Sequence, residues 1–289
     1  MRGGSAEAVS GVDLSASAMP AKPFVKWVGG KRQLLPKLLP IFSSVGAFGV
    51  YHEPFVGGGA VFFALWNENL ARQSRLTDVN NELMDSYRAV RDSVDDVIAH
   101  LREHAHRSGK EYFYSVRGKK TRSPAEAAAR LIFLNKTCFN GLYRVNNSGT
   151  FNSPWGRNDN PTICDEANLR AVSAALANSI LDSTPFESIR DAARPGDLIY
   201  FDPPYVPIGT ASFTEYVPGG FGPLEQATLA SVFDELDRRG VRLVLSNSDT
   251  PRIRTLYARF RVEQVLARRN VNTRVDGRGP VAEVIVRNF

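Results

Sequence analysis

Residues Asp197-Leu-Ile-Tyr-Phe-Asp-Pro-Pro-Tyr205 form the stretch that decides the fold. The apolar, β-branched and aromatic run at 198–201 is typical of a buried strand in a parallel sheet. Two prolines follow Asp202, and proline neither donates a ladder hydrogen bond nor favours helical geometry in the residue before it. The chain must therefore leave the sheet at Asp202, at the carboxyl end of a strand, where open α/β sheets bind their ligands.

The groups that this turn presents suit an exocyclic amine on a flat ring. The Asp202 carboxylate and the Pro203 carbonyl could accept the two N–H bonds of such an amine, while Tyr205 could stack on the ring. The N6 amine of adenine is a poor nucleophile because its lone pair is delocalised, and two acceptors would turn that lone pair outwards. The alternative is a Pro-Pro turn without function, in which Tyr205 only packs.

The composition is that of a globular protein with a basic balance. The 289 residues suffice for one α/β domain with an insertion or for two modest domains. A formal charge of +6 suggests a polyanionic partner. The two cysteines fit neither a metal nor a redox spacing, which favours a reducing cytosolic compartment. No apolar run approaches the length of a membrane span, and residues 1–21 read as a disordered tail.

A second region has the layout of a nucleotide-binding βαβ unit. A strand-like run at 50–55 leads through Gly57-Gly58-Gly59 into an apolar helix, and Asp78 follows a short strand at 75–77. In that layout the nucleotide lies over the glycines and the acid holds the ribose hydroxyls. Phe62 stands where the third fingerprint glycine would be, so a single nucleoside such as S-adenosylmethionine fits better than a dinucleotide.

The amino-terminal part of the ordered chain carries a weaker signal at Gly29-Gly30-Lys31. A glycine pair followed by a basic residue indicates either a loop that approaches a ligand or a plain turn before a helix. It is not a Walker A loop, because Val25 occupies the first glycine position and Arg32 follows the lysine where serine or threonine is needed.

The middle of the chain predicts helices followed by an exposed polar segment. Residues 80–106 show helical apolar spacing, and Ser123-Pro-Ala-Glu126 is a capping box that opens another helix. The histidines near residue 100 have no cysteine or acid spaced to complete a site, so no metal is expected. Residues 135–157 are rich in Asn, Arg, Lys and aromatics, which favours a nucleic-acid surface over a plain polar loop.

The last third of the chain predicts a lid and the remaining strands. A Gly/Pro-rich loop from Tyr205 to Gly222 is long enough to be a lid. Periodicity predicts a helix over 224–239 and a strand at 241–246. A final strand at 281–287 is expected to form a hairpin with residues 267–272.

Five motifs resemble those of the DNA adenine methyltransferase (Dam) family and follow one another in the family's order. They are Phe24–Lys31, Glu53–Val61, Asp78–Leu83, Phe139–Arg157 and Asp202–Tyr205. The resemblance implies a Rossmann-like, S-adenosylmethionine-dependent methyltransferase α/β sheet of seven strands, the last one antiparallel, with an inserted, mostly helical target-recognition domain. Residues 22–80 and 165–289 would form the catalytic domain, and residues 81–164 the target-recognition domain.

The resemblance also implies an activity and a set of site residues. The activity is transfer of a methyl group from S-adenosylmethionine to N6 of an adenine flipped out of double-stranded DNA. The site is GATC, because residues 140–157 are similar to those of members that modify this sequence. By motif position, the catalytic residues are Asp202, Pro203 and Tyr205. The cofactor-binding residues are Trp27, Lys31, Phe55, Gly57, Asp78 and Asp202. The DNA contacts are Lys26, Asn140, Leu142, Arg144, Asn152, Pro154 and Arg157.

The implied setting is the cytoplasm of a bacterium or a phage system, in association with the nucleoid and without membrane attachment. No obligate protein partner is implied, and a cognate restriction endonuclease is compatible with the family. The chain departs from the family's pattern at Val28 and Gly58, where alanine is expected, and in its long lid.

Three other functions share some of these residues. An RNA or N4-cytosine methyltransferase uses the same amine clamp, and a protein-glutamine methyltransferase more often has asparagine at position 202. A DNA-binding regulator without catalysis is the third, although the intact site residues argue against it. Cytosine C5 methylation is disfavoured, because neither Cys138 nor Cys164 follows a proline.

Overall fold

The computed structural model describes residues 19–156, 160–205, 221–268 and 280–289, and these contain one seven-stranded sheet. Its strands are β1 (Tyr51–Glu53), β2 (Ser74–Thr77), β3 (Ser179–Asp182), β4 (Leu198–Phe201), β5 (Arg242–Ser248), β6 (Arg261–Arg268) and β7 (Pro280–Arg287). The strand order is β3-β2-β1-β4-β5-β7-β6. Strand β7 pairs antiparallel with both of its neighbours, and every other pairing is parallel. The predicted sheet with an antiparallel last strand is confirmed.

Helices cover the sheet on both faces. They are α1 (Leu35–Ser44), α2 (Ala60–Asn67), α3 (Asn81–Asp92), α4 (Val94–His106), α5 (Lys110–Gly118), α6 (Pro124–Thr137), α7 (Glu166–Leu176), α8 (Ile189–Ala192), α9 (Pro223–Arg238) and α10 (Pro251–Leu256). Short 3-10 turns lie at Lys31–Gln33, Phe139–Gly141 and Phe186–Ser188. No helix of the described ranges is long and apolar enough to cross a membrane.

Strand β4 is fully buried because both of its faces are covered. Its side chains alternate between two hydrophobic cores, as the two-residue period of a strand requires. Leu198 and Tyr200 belong to the larger core, which also contains residues of α1 to α7. Ile199 and Phe201 belong to the smaller core beneath α9 and α10. The apolar run predicted to be a buried strand of a parallel sheet is such a strand, and it lies at the centre of the sheet.

The predicted target-recognition helices share a core with the sheet. Helices α3, α4 and α6 pack on one another, and α3 and α4 also pack on α7. Leu76 of β2 belongs to the same buried cluster as Leu83 of α3, Leu101 of α4 and Phe133 of α6. The limits at residues 81 and 164 stay a prediction.

Three predicted boundaries differ from the structure, and one helix was not predicted. The helical stretch at 80–106 is two helices, because Ser93 leaves helical geometry (φ −145°, ψ 43°). Strand β6 begins at Arg261, six residues before the predicted start; its charged, solvent-facing pattern is typical of an edge strand and hides it in the sequence. Helix α5 was not predicted. The amino-terminal tail ends earlier than residue 21, because Ala21 is buried and exchanges two hydrogen bonds with Asn67.

Some expectations lie outside the described residues. They are the first eighteen residues of the predicted tail, the lid over residues 206–220, the DNA contact Arg157 and the hairpin residues 269–272.

The smaller core predicts a large stability difference between two phenylalanines. Phe233 is fully buried, with its ring centroid 4.8 Å from that of Phe260, 5.3 Å from Tyr257 and 6.0 Å from Phe201. We expect Phe233→Ala to lower the free energy of unfolding by about 3–5 kcal/mol, measured by urea denaturation. The control Phe289→Ala removes a ring that is 37% exposed and should cost less than about 1 kcal/mol. Equal losses in the two variants would contradict this account of the core.

Candidate active site

The carboxylate of Asp202 lies at the carboxyl end of β4, bound by two donors. Lys31 Nζ is 2.8 Å from its Oδ1, and Ser246 Oγ donates to the same oxygen at 3.0 Å. The hydroxyl of Tyr200, in β4 itself, lies 2.7 Å from Ser246 Oγ. Both partners of the ion pair are largely buried, with side chains 9% exposed in Lys31 and 16% exposed in Asp202. Asp202 Oδ1 therefore connects three parts of the fold. They are β4, β5 and the segment before α1.

Burial and Lys31 act in opposite directions on Asp202. Burial raises the pKa of the Asp202 carboxyl, because a charge is poorly solvated there. The positive charge of Lys31 and the hydrogen bonds from Lys31 and Ser246 lower that pKa. The ion pair therefore favours the carboxylate form, which accepts hydrogen bonds and donates none.

Lys31 also covers the tyrosine of the same turn. Its Nζ lies 4.4 Å from the centroid of the Tyr205 ring and donates to the Gly29 carbonyl at 2.7 Å. Gly29 has φ +85°, a conformation that favours glycine. The loop therefore lies beside Asp202 and Tyr205, and its approach to a ligand stays a prediction.

The turn after Asp202 is held from two sides. Tyr205 donates its hydroxyl to Glu283 Oε2 of β7 at 2.9 Å. The Pro204 carbonyl accepts from Gln226 Nε2 of α9 at 3.0 Å, and Asn247 of β5 donates to Gln226 Oε1 at 3.1 Å. Gln226 and Asn247 are fully buried, so these bonds are shielded from water. The supports position both the aromatic ring and the backbone of the turn.

The glycine turn after β1 lies against Asp78, as the βαβ layout predicts. Asp78 Oδ2 accepts from the Gly57 amide at 3.1 Å, and Oδ1 accepts from the Asn80 amide at 3.0 Å. Gly57 has φ +48°, and an added Cβ would lie 2.8 Å from Trp27 Cδ1. Trp27, Gly57 and Asp78 are therefore brought together and form a cradle, in which the Trp27 ring occupies the space that a side chain at position 57 would need.

Phe55 lies in a different environment from the other predicted cofactor residues. Its ring stacks on Phe186 at a centroid distance of 5.4 Å and meets the edge of Phe221 at 5.5 Å. It packs against the smaller core, at the margin of the glycine turn.

Glu53 is a buried acid at the end of β1, beside the end of β4. It is 2% exposed, accepts from the Tyr51 hydroxyl at 2.8 Å and is bonded by the backbone amide of Phe62. Burial raises the pKa of Glu53 to about 8, the Asp202 charge adds to this rise and Lys31 opposes it. At neutral pH Glu53 is therefore mostly protonated.

Sequence reasoning did not assign roles to several of these residues. They are Glu53, Tyr200, Gln226, Ser246, Asn247 and Glu283. Only Glu53 had a local signal, since an acid before proline at a strand end repeats the Asp-Pro pattern of β4. The others reach the cleft from distant parts of the chain.

The predicted DNA-contacting segment forms a hairpin-like loop after α6. Isolated bridges join Cys138 to Trp155 and Val145 to Phe151, and the Asn152 amide donates to the Arg144 carbonyl at 2.8 Å. Most of the predicted contacts are exposed and Leu142 is half-buried. The exposed ones are Lys26, Asn140, Arg144, Asn152 and Pro154.

Lys26 belongs to the same surface, although it precedes the hairpin by more than a hundred residues in sequence. Asn135 donates to the Lys26 and Gly141 carbonyls at 2.8 and 3.0 Å and accepts from the Lys26 amide at 2.6 Å. A Cβ at Gly141 would lie 2.6 Å from Lys26 Cδ, so glycine is required for this approach.

Removing Lys31 should raise the pKa of Asp202 further, because burial remains while the opposing charge is lost. We expect Lys31→Met to move the Asp202 titration to higher pH, followed by ¹³C NMR of carboxyl-labelled aspartates and assigned with Asp202→Asn. The control is Arg32→Met, which removes the neighbouring, exposed positive charge and should leave the titration in place. An unchanged Asp202 titration in Lys31→Met would show that the ion pair does not hold its charge.

Comparison with known proteins agrees with this geometry. A model of the D12 class N6 adenine-specific DNA methyltransferases matches residues 27–271. The Type II methyltransferase M.MjaIII of Methanocaldococcus jannaschii is 39% identical, over 94% of this chain and 100% of that protein. The Type II methyltransferase M1.LlaDCHI of Lactococcus lactis subsp. cremoris is 36% identical, over 96% and 98%. The DNA adenine methylase of Escherichia coli (strain K12) is 31% identical, over 91% and 94%. The resemblance seen in the sequence is confirmed, and the chain belongs to the family of D12 class N6 adenine-specific DNA methyltransferases.

Proposed function

We propose that this protein transfers a methyl group from S-adenosylmethionine to N6 of an adenine flipped out of duplex DNA, within GATC. The observation that carries the proposal is the Asp202 carboxylate at the end of β4, paired with Lys31 beside the ring of Tyr205. The glycine turn with Asp78 lies at the end of the neighbouring strand β1. A base site and a nucleoside site therefore adjoin at one edge of the sheet.

The residues at the glycine turn fit a nucleoside. Because Gly57 has no Cβ, the Trp27 ring packs directly against the glycine turn, so an aromatic ring borders the place where the nucleoside would lie. The buried carboxylate of Asp78 is oriented by two backbone amides and can accept from ribose hydroxyls. When bound, S-adenosylmethionine supplies an electrophilic methyl group on a sulfonium ion.

The Asp-Pro-Pro-Tyr turn would then orient the adenine amine. In the described part of the chain, Lys31 and Ser246 both bond Oδ1 of Asp202, and Oδ2 has no protein donor. One N–H of the amine can bond Oδ2 and the other the Pro203 carbonyl, which turns the nitrogen lone pair outwards. Holding that nitrogen about 3 Å from the methyl carbon would supply most of the rate enhancement. The product proton leaves to solvent.

Tyr205 would hold the base face. Its hydroxyl is fixed by Glu283, so the ring is already oriented for stacking. A base that stacks on the face now covered by the Lys31 ammonium displaces that group from the ring. Lys31 is therefore both the counter-ion of Asp202 and a cover over the base site.

The GATC assignment and the cellular setting rest on similarity. The segment 140–157 is similar to those of family members that modify GATC, and its exposed Arg and Asn side chains suit the edges of guanine and adenine. The Type II names of two relatives suggest a modification enzyme beside a cognate restriction endonuclease. A DNA substrate places its action in the cytoplasm, at the nucleoid.

The test is transfer of labelled methyl from S-adenosylmethionine to three duplexes. One contains GATC, one has its adenine replaced, and one is a scrambled sequence of equal length. We expect label only on the first with wild-type protein, and none with Asp202→Ala, whose folding is checked by its melting temperature. The alanine variant lacks the carboxylate that accepts from the amine.

The outcomes separate the parts of the proposal. Label on adenines of all three duplexes would retain the chemistry and overturn the GATC assignment. Label on none, with folded protein, would overturn DNA methylation and direct the assay to RNA and to cytosine N4. Wild-type turnover by Asp202→Ala would overturn the mechanism.

Arg144 tests the recognition hairpin separately from the chemistry. Its side chain is exposed between the hairpin strands, and bidentate arginine contacts to guanine contribute about 1–3 kcal/mol of discrimination. We expect Arg144→Ala to reduce the preference for GATC over a single-base variant by about ten- to a hundredfold. Binding to scrambled duplex should change much less.

The measurement is fluorescence anisotropy with each duplex at one salt concentration. The matched control is Arg238→Ala, which removes an arginine that is 67% exposed on α9. Equal losses on cognate and scrambled duplex in Arg144→Ala would indicate a phosphate contact instead of base recognition.

A further inference from the structure

Tyr143 stands between two predicted DNA contacts, Leu142 and Arg144, and has been assigned no role of its own. Arg144 is exposed, whereas Tyr143 is half-buried. The Tyr143 ring stacks on Trp27, with centroids 5.2 Å apart and ring planes at 28°. It also meets the ring of Phe151, across the hairpin, edge-on at 5.8 Å. The side chain therefore joins the hairpin to the amino-terminal loop.

The hydroxyl of Tyr143 is anchored on α3. It donates to Glu82 Oε2 at 2.8 Å, while Arg130 Nη1 donates to Glu82 Oε1 at 3.2 Å. Arg130 is in turn anchored to the carbonyls of Val116 and Arg117. Burial and the bond to Glu82 raise the pKa of Tyr143, so its hydroxyl stays protonated and remains a donor.

The other partner of the stack touches the proposed cofactor site. Trp27 lies so close to the glycine turn that a Cβ on Gly57 would be 2.8 Å from its ring. The Gly57 amide is bonded to Asp78, and Asp78 lies just before α3, which carries Glu82. The ring of Trp27 thus lies between the nucleoside cradle and Tyr143. The hydroxyl of Tyr143 bonds to α3, the helix that follows Asp78.

We propose that Tyr143 is a positioning residue through which an occupied cofactor site orders the DNA-reading hairpin. The inference rests on the proposed function and deepens it. A nucleoside over Gly57 restricts Trp27, the stack restricts Tyr143, and the adjoining Leu142 and Arg144 are held for base contact. A hairpin that is already ordered loses less conformational freedom when DNA binds. The bound cofactor therefore raises the affinity for cognate DNA, which is positive coupling. By linkage the effect on the two affinities is reciprocal.

The experiment measures that coupling in the full-length protein. Fluorescence anisotropy gives the Kd for GATC and scrambled duplexes, with and without saturating S-adenosylhomocysteine, which cannot donate a methyl group. Wild type should bind GATC at least about fivefold more tightly when this nucleoside is present, with little change on scrambled DNA.

Two substitutions separate the contribution of the Tyr143 ring from that of its hydroxyl. Tyr143→Phe keeps the stack and should retain most of the coupling, whereas Tyr143→Leu should reduce it to less than about twofold. Tyr143→Met, whose flexible side chain can fill the same space, replaces the leucine variant if that variant does not fold. The matched control is Tyr114→Leu, which removes an exposed tyrosine of α5 and should preserve the coupling.

The outcomes distinguish this inference from the proposed function. Wild-type protein that binds neither S-adenosylhomocysteine nor GATC in preference to scrambled DNA would overturn both. Cognate preference without coupling, or coupling that survives in Tyr143→Leu and Tyr143→Met, would overturn the inference alone. Loss of coupling in Tyr143→Phe or Tyr114→Leu would also overturn it, because the link would then not be the stacked ring.

Discussion

A buried ion pair between Lys31 and Asp202 joins the segment before α1 to the end of the central strand, β4. Isolating either charge from water would cost several kcal/mol, and each ion reduces that cost for the other. The Lys31 ammonium also contacts the Tyr205 ring, so a single cation organises the carboxylate and the aromatic face of the turn. Because Lys31 and Asp202 are far apart in sequence, this arrangement forms only when the loop before α1 and the end of β4 have folded together.

The electrostatics of the sheet edge follow from one lysine facing two acids. Strands β1 and β4 are neighbours and run parallel, so Glu53 and Asp202 emerge at the same edge. Burial raises the pKa of Glu53 to about 8, and the Asp202 charge adds to that shift. Near neutral pH the Glu53 carboxyl is thus mostly protonated, so the positive charge of Lys31 pairs with Asp202. Ser246 completes the set by donating to Oδ1, the oxygen that Lys31 also bonds, and the Tyr200 hydroxyl lies within hydrogen-bond distance of Ser246 Oγ.

The hairpin after α6 and the glycine turn after β1 are connected through two consecutive residues. Lys26 lies against Gly141 of the hairpin, and Trp27 lies against Gly57 of the glycine turn. Asn135 fixes the backbone of Lys26 and Gly141 together, and the Trp27–Tyr143 stack repeats the connection through side chains. Asn135 is fully buried, and closely packed interiors transmit strain.

The sequence by itself determined the parts that depend on local patterns. The run 198–201 ending in Asp-Pro-Pro specified a buried strand and its exit, because apolar periodicity and proline geometry act over a few residues. The glycine turn with Asp78 could be predicted in the same way, and the order of the five motifs identified the family. The start of the edge strand β6, the break at Ser93 and helix α5 were not predicted, because charged, solvent-facing segments of strands, helices and loops have similar sequence patterns. Only the tertiary structure could show that Ser246, Gln226, Asn247 and Glu283 support the turn and that Tyr143 stacks on Trp27. Those contacts join residues distant along the chain, and packing, which no local pattern encodes, decides which of them meet.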